Sequence, residues 1–417
     1  MRISTNLFFQ NGLKTINTQQ ADLMHIYQQV GTGKRLITPS DDPLAAAQTI
    51  NIAQSQSLNQ RYTENRQVAK NNLSSEENTL DAVSTLLSGL KTRLVEAGNS
   101  TLADVDRATL ANVLSKAKDN LLGLANATDG NGQYLFSGHA GSRAPFAVAA
   151  DGSVSYVADS GSRLIQVDQT RQLDSADTGD TIFMSATSGS RAYISRANAA
   201  NQGTAEMSAP AITDPNDANV GNAFTVDFAD NAGSLEYTVT FTTETGTPPT
   251  PTTTTLGPTA FEPGAATLTV SPGLQVKFSG TPQAGDSFTV EPAQSTDLNI
   301  FNTLDDMIAA LKTPIEGDPK AAAAYRNTLS SAMQRLDVNY DQVQTTLSSV
   351  GTRMAEIDSI DARSSVRNLS YSKELSRLED VDYYEATAQL QLRTAALDAA
   401  SMAFKKIQST SLFNMSN

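Results

Sequence analysis

Proline fixes φ and removes a backbone donor, so a long stretch without it leaves room for a long helix. Of the 15 prolines in this chain none falls in residues 1–38, 44–144 or 320–417, and eleven fall between Pro145 and Pro292. Residues 130–285 also hold 17 of the 25 glycines. The 417 residues therefore divide into helical ends and a β or irregular middle.

The spacing of apolar residues carries the same division. Phe9, Leu13, Ile16, Gln20, Leu23, Tyr27 and Val30 alternate by fours and threes with one polar interruption, until Gly31 and Gly33 break the run. Ser40-Asp41-Asp42-Pro43 has the form of a helix start, an acidic cap followed by Pro at the first helical position. A single helix from Leu44 to Glu96 would be roughly 80 Å long. It carries the stripe Leu73, Glu76, Leu80, Val83, Leu87, Leu90 and Leu94, and Leu110, Leu114, Ala117, Leu121 and Leu124 continue the pattern after Gly98. The C-terminal third repeats it in Leu336, Tyr340, Val343, Leu347, Val350, Met354 and Ile357. A looser stripe follows in Tyr383, Ala386, Leu390, Arg393, Leu397, Ala400, Phe404 and Ile407.

Stripes of one kind at both ends most simply pair with each other. The expected fold is α+β and multidomain: an elongated antiparallel α-helical bundle or coiled-coil stalk formed by both chain ends, with an inserted mainly-β head. The boundaries expected are 1–40 plus 375–417 for a terminal coiled-coil region and 41–138 plus 297–374 for a helical stalk domain. A β-rich head takes 139–190 plus 285–296, and 191–284 an inserted second β-domain. Within the middle, Phe224–Phe228 and Leu235–Phe241 alternate cleanly around Asp230-Asn231-Ala232-Gly233, the pattern of a hairpin. Residues 242–255, with nine Thr and three Pro, read as an unpacked low-complexity loop. Two isolated amphipathic helices bury little area, so 1–33 and 383–413 are expected to be partly disordered in the monomer and to order against other subunits.

Composition narrows the function. There is no cysteine and only His25 and His139, which removes thiolate nucleophiles, Fe–S clusters and cysteine zinc sites and leaves almost nothing for a histidine-based site. A net charge of −14 has the wrong sign for nucleic-acid binding. No apolar stretch is long enough to insert into a membrane, and the N-terminus lacks the apolar region of a cleaved leader. Gly31-Thr32-Gly33-Lys34-Arg35 fails as a phosphate loop, having Gln28 and Arg35 where Gly and Ser or Thr are needed, and reads as a helix end. The run from Asp214 to Asn219 lacks the ligand spacing of a calcium loop and reads as a turn. Glu374, Glu379, Asp380 and Asp382 read as a solvated face beside a helix start. No enzyme activity, catalytic residue, cofactor or metal is expected.

Met1-Arg2-Ile3-Ser4-Thr5, Gly33-Lys34-Arg35 and Pro39-Ser40-Asp41-Asp42-Pro43-Leu44-Ala45-Ala46 resemble the N-terminus of the flagellar hook-associated proteins, relatives of flagellin. Asn126–Gly138 and Ser376–Tyr383 carry the same resemblance, which covers about 1–185 and 285–417. Flagellin itself tends to place Asp-Asp-Ala-Ala-Gly where this chain has Asp41-Asp42-Pro43-Leu44-Ala45, which favours a junction member over the filament subunit. The resemblance implies a structural protein of the bacterial flagellum, extracellular, exported by the flagellar type III system without a cleaved leader, and served by a cytoplasmic chaperone. It implies a ring of subunits between hook-associated protein 1 and flagellin. Carried over residue by residue, it points to Leu13, Ile16, Leu23, Tyr27, Val30, Leu390, Leu397 and Phe404 as assembly-interface residues. Ser40, Asp41, Asp42 and Pro43 would set a turn between two helical shells.

Overall fold

The computed structural model describes residues 2–245, 250–262 and 267–413. Among the described residues seven helices fall largely where proline is absent: α1 (Arg2–Thr32), α2 (Pro43–Ala97), α3 (Asp104–Ala125), α4 (Gly179–Phe183), α5 (Ile300–Lys312), α6 (Pro319–Glu379) and α7 (Tyr383–Phe413). Helices α2 and α6 run for 55 and 61 residues. Thirteen strands occupy the middle among the described residues, so the fold is α+β with helical ends and a β-rich centre. The chain divides into two compact units, one of 1–65 with 358–417 and one of 66–357. The terminal unit thus reaches further along the long helices than the 1–40 and 375–417 expected from sequence.

In the terminal unit α2 and α6 run antiparallel, tied by Asn59, whose Nδ2 donates to the Ser364 carbonyl at 3.1 Å, and by Gln56, whose Nε2 donates to Asn368 Oδ1 at 3.0 Å. In the larger unit the same two helices pair Ser84 with Gln344 at 2.7 Å and Lys91 with Asp337 at 2.6 Å. The stripe from Leu73 to Leu94 is buried throughout, and Leu336, Val343, Val350 and Ile357 of α6 are buried as well. Helix α3 packs on α5. The latter lies within the helical stalk domain expected over 297–374; it is capped by Asn299, whose Oδ1 accepts from the Phe301 and Asn302 amides, and it buries Phe301, Leu304, Met307 and Leu311.

The smaller strands are β1 (Phe146–Val148), β2 (Val154–Tyr156), β3 (Leu164–Asp168), β4 (Arg171–Asp174), β5 (Tyr193–Ala197), β6 (Glu206–Met207) and β7 (Ala211–Ile212). The longer ones are β8 (Phe224–Asn231), β9 (Ser234–Thr245), β10 (Thr250–Ala260), β11 (Thr267–Ser271), β12 (Leu274–Ser279) and β13 (Ser287–Pro292). A five-stranded antiparallel sheet in the order β10-β9-β8-β13-β5 is complemented by β11-β12-β6, with β7 beside β12. Phe224, Val226 and Phe228 face the same core as Val239, Phe241, Phe278 and Phe288. Phe228 meets Phe261, Phe278 and Phe288 edge to face.

The expected hairpin is β8–β9, closed at Ala232 (φ 56°) and Gly233 (φ 89°), two positive-φ residues as a tight two-residue turn requires. Two expectations are corrected. The Thr-rich stretch 242–255 is not an unpacked loop: it forms facing arms of β9 and β10, with Thr242 opposite Thr253 and Thr243 opposite Thr252. Threonine is β-branched and fits a pleated strand, and Pro251 is tolerated because β10 is a sheet edge; the tip, 246–249, lies outside the described residues. Nor does 191–284 close on itself, because β13 sits between β8 and β5 in the same sheet.

Candidate functional site

The chain ends meet as an antiparallel pair, α1 against α7. The Phe9 and Phe404 ring centroids are 5.0 Å apart, and Arg393 Nη1 donates to Asp22 Oδ2 at 2.9 Å. The sheltered positions of α1 include Gly12, Ile16, Gln19, Leu23, Ile26 and Val30; those of α7 include Ala386, Leu390, Arg393, Leu397, Ala400 and Phe404. Both sets follow the a and d positions of a heptad. At Gly12 the helices come so close that a Cβ would lie 2.9 Å from Phe404 Cδ2.

Six of the eight residues expected at an interface, Ile16, Leu23, Val30, Leu390, Leu397 and Phe404, are half-buried along this seam. Leu13 and Tyr27 are not; they are 41% and 54% exposed. The stripe read from sequence placed 13, 20 and 27 where the seam uses 12, 19 and 26, an offset of one residue. The pair therefore carries an apolar surface of its own outside the seam, in Leu7, Leu13, Met24 and Tyr27 of α1 and Leu392 and Met402 of α7.

The segment after α1 is held by short-range chemistry. Gly33, at φ 73°, ends the helix, its amide donating to the Gln29 carbonyl at 2.9 Å. The chain then pairs with the turn between α6 and α7: Arg35 N donates to Glu379 O at 2.6 Å, and Val381 N donates to Gly33 O at 3.0 Å. Lys34 pairs with Glu379, and Arg35 Nη2 donates to the Leu378 carbonyl at 2.8 Å. Asp42 caps α2 through the Ala45 amide at 3.0 Å, with Pro43 at the first helical position. Asp41 Oδ2 accepts from the Thr38 and Ile37 amides at 2.9 Å each, and its Oδ1 from Thr38 Oγ1 at 2.8 Å, while Ser40 Oγ lies 2.7 Å from the same hydroxyl. His25 Nε2 stands 3.2 Å from Asp41 Oδ1.

The Thr38 amide, ahead of the Thr38 hydroxyl, the Ile37 amide and His25, holds the Asp41 carboxyl well below the usual carboxylate range. A depressed carboxyl stabilises the fold at pH above its unfolded value, and that contribution fades as the pH falls below it towards the folded value. Asp41→Ala is thus expected to destabilise the terminal unit by about 1 kcal/mol at neutral pH, the usual net worth of a side-chain hydrogen bond. The gap from wild type should narrow below about pH 4, as read by helical circular dichroism on heating. A constant gap across that range would leave the carboxylate without this role.

Lys34, Arg35 and the acidic cluster thus have structural work the sequence did not reveal. Glu379 pairs with Lys34, Glu374 with Arg377, Asp380 accepts from Ser376, and Asp382 caps α7 through the Tyr384 amide at 2.9 Å. Among the described residues no group of three or more His, Asp or Glu is placed to hold a metal ion, and no helix is long and apolar enough to cross a membrane.

Residues 3–140 match the bacterial flagellin N-terminal helical region. The flagellar hook-associated protein 3 of Escherichia coli K12 is 30% identical over 419 residues, covering 100% of both chains. The chain belongs to the flagellar hook-associated protein 3 family. Two solved structures from Legionella pneumophila are similar: a flagellar hook-associated protein-3, at 28% identity and TM-score 0.68, covers 78% of this chain and 98% of its own. The flagellar junction protein FlgL, at 27% identity and TM-score 0.64, covers 80% of this chain and 100% of its own. In this member of the hook-associated protein 3 family the flagellin-type match spans α1 to α3, and the strands lie beyond it.

Proposed function

We infer that this chain is a structural junction subunit of the bacterial flagellum, joining hook to filament, and that it acts by assembly rather than by catalysis. The observation that carries this is the α1–α7 pair: both chain ends in one seam, with Leu13, Met24, Tyr27, Leu392 and Met402 left apolar and exposed. A relative named a flagellar junction protein, of the same family, supports it. On this reading the outer face meets neighbouring copies in a ring, with hook-associated protein 1 on one side and flagellin on the other. The 33–43 turn sets α1 apart from α2 as separate shells. The chain reaches the flagellum through the type III export apparatus with a cytoplasmic chaperone, and α1 and α7 complete their ordering when neighbours cover them.

The experiment is deletion of the gene, with imaging of cells and assay of flagellin in the medium. Intact hooks without filaments, with monomeric flagellin in the medium, are expected. No flagellin in the medium would identify the chain as the filament subunit. Normal filaments would overturn the flagellar role in favour of a secreted adhesin.

A further inference from the structure

Two methionines stand apart from the rest. Of the nine in the chain, Met1 and Met415 lie outside the described residues. Met207 and Met307 are buried, and Met184, Met333 and Met354 are half-buried, all within the 66–357 unit. Met24 of α1 and Met402 of α7 are instead 60% and 67% exposed, outside the seam between the two chain ends. At 3.6 residues per turn Met24 falls within about 60° of Leu13 and Tyr27 around α1, so the three make one apolar flank, and α7 exposes Leu392 as well. A thioether is flexible and polarizable, which suits it to apolar contact with an irregular partner surface.

The same two sulfurs are the chemically open points of that surface. The chain has no cysteine, so methionine carries all of its sulfur, and exposure decides which thioether an oxidant reaches. Attack of the sulfur on hydrogen peroxide breaks the O–O bond, forms one S–O bond and releases the second oxygen as water. The sulfur gives up two electrons and the peroxide takes them. The sulfoxide formed is polar where the thioether was apolar. On the free chain it stays hydrated at these exposures, so the fold loses nothing. Against a neighbouring copy it would be stripped of water without a donor, weakening the contact on the order of tenfold to a hundredfold per site.

We propose that Met24 and Met402 form a redox-sensitive modification site: their oxidation by a peroxide bars the free subunit from assembly, and assembly in turn shields them. This rests on the assembly reading above. On the purified full chain, hydrogen peroxide should first add one oxygen to each of the tryptic peptides 15–34 and 394–405, which hold Met24 and Met402 as their only methionines. The helical signal should stay unchanged. In deletion cells, a chain with Met24→Gln and Met402→Gln, polar like the sulfoxide, should restore few filaments. A chain with Met24→Leu and Met402→Leu, apolar and inert to peroxide, should restore the wild-type number. Sublethal peroxide in the medium should cut filament number with the wild-type chain and spare it with the leucine pair. Wild-type filament numbers from the glutamine pair, or equal losses under peroxide with and without the two methionines, overturn the proposal and leave the flagellar reading standing. A wild-type chain that restores no filaments in untreated deletion cells overturns that reading, and the proposal with it.

Discussion

Leu13→Asp is expected to abolish assembly and leave the subunit folded. Leu13 is 41% exposed and lies outside the α1–α7 seam, so in the free chain a carboxylate there stays hydrated. Exposed substitutions of this kind change stability by no more than about 0.5 kcal/mol. Against a neighbouring subunit the same carboxylate would be stripped of water without a partner, at a cost of several kcal/mol. At about 1.4 kcal/mol per factor of ten, a penalty of ~4 kcal/mol weakens each contact on the order of a thousandfold. Leu397→Asp should behave differently, because Leu397 is half-buried in the seam; it should lower the helical signal of the isolated chain by melting α1 and α7 together. Circular dichroism of the purified variants, with filament counts in complemented deletion cells, separates the two faces. Filaments at wild-type number with Leu13→Asp would mean that the outer face is not where copies meet.

The seam shows what the sequence could convey. The α7 stripe from Ala386 to Phe404 coincides with the buried face, because its small and apolar residues alternate without competition. On α1 two stripes compete: apolarity favours Leu13 over Gly12 but does not separate Ile26 from Tyr27, and the seam uses 12 and 26. Gly12 has no hydrophobicity to announce it, yet it is the position that lets the Phe404 ring approach. Periodicity locates an apolar face; it does not say which face meets its own chain and which another. The leftover residues are those an assembling subunit would need.

Other features depended on contacts distant in sequence. Lys34 and Arg35 acquire their role from Glu379 and Leu378, more than 340 residues away, and no local pattern predicts that pairing. Similar segments also part company: Gly179–Phe183, Gly-Asp-Thr-Ile-Phe, is a short helix, whereas the related Gly-Asp-Ser-Phe-Thr-Val from 285 enters β13. Phe183 packs edge to face against Phe136 and Phe146, while Phe288 packs against Phe278 in the sheet core. Tertiary packing overrode local preference at Gly179–Phe183, whereas Phe288, Thr289 and Val290 form the strand that their residue types favour. Glu76 is the instructive case: it holds one position of the α2 stripe and is fully buried there, a carboxyl group among leucines.

That burial sets the second large effect. Glu76 Oε1 accepts from the Asp177 amide at 3.0 Å, and Oε2 has no partner. Asp177 pairs with Arg353, whose Nη1 also donates to the Asp174 carbonyl at 3.1 Å. Burial pushes the Glu76 carboxyl well above the usual carboxylate range, and the Asp177 charge adds to this. The Asp177 amide and the Arg353 charge oppose it without cancelling it. A carboxyl raised by folding favours the native state while protonated. Its contribution is complete below the unfolded value near 4.3 and is lost as pH rises through the folded value. Glu76→Gln keeps the acceptor for the Asp177 amide, supplies a donor towards Asp177, and never ionises. It should be close to wild type at pH 5 and more stable than it at pH 9, since the wild-type carboxyl, raised by burial to about 8, has ionised by then. Arg353→Leu should destabilise at neutral pH, by about 3 kcal/mol, because it leaves the Asp177 carboxylate without its cation; at pH 9, where Glu76 is ionised as well, the cost should grow in wild type and not in the Glu76→Gln background. Denaturant melts at the two pH values decide it: parallel pH profiles for wild type and Glu76→Gln would mean that Glu76 stays ionised throughout, held by Arg353.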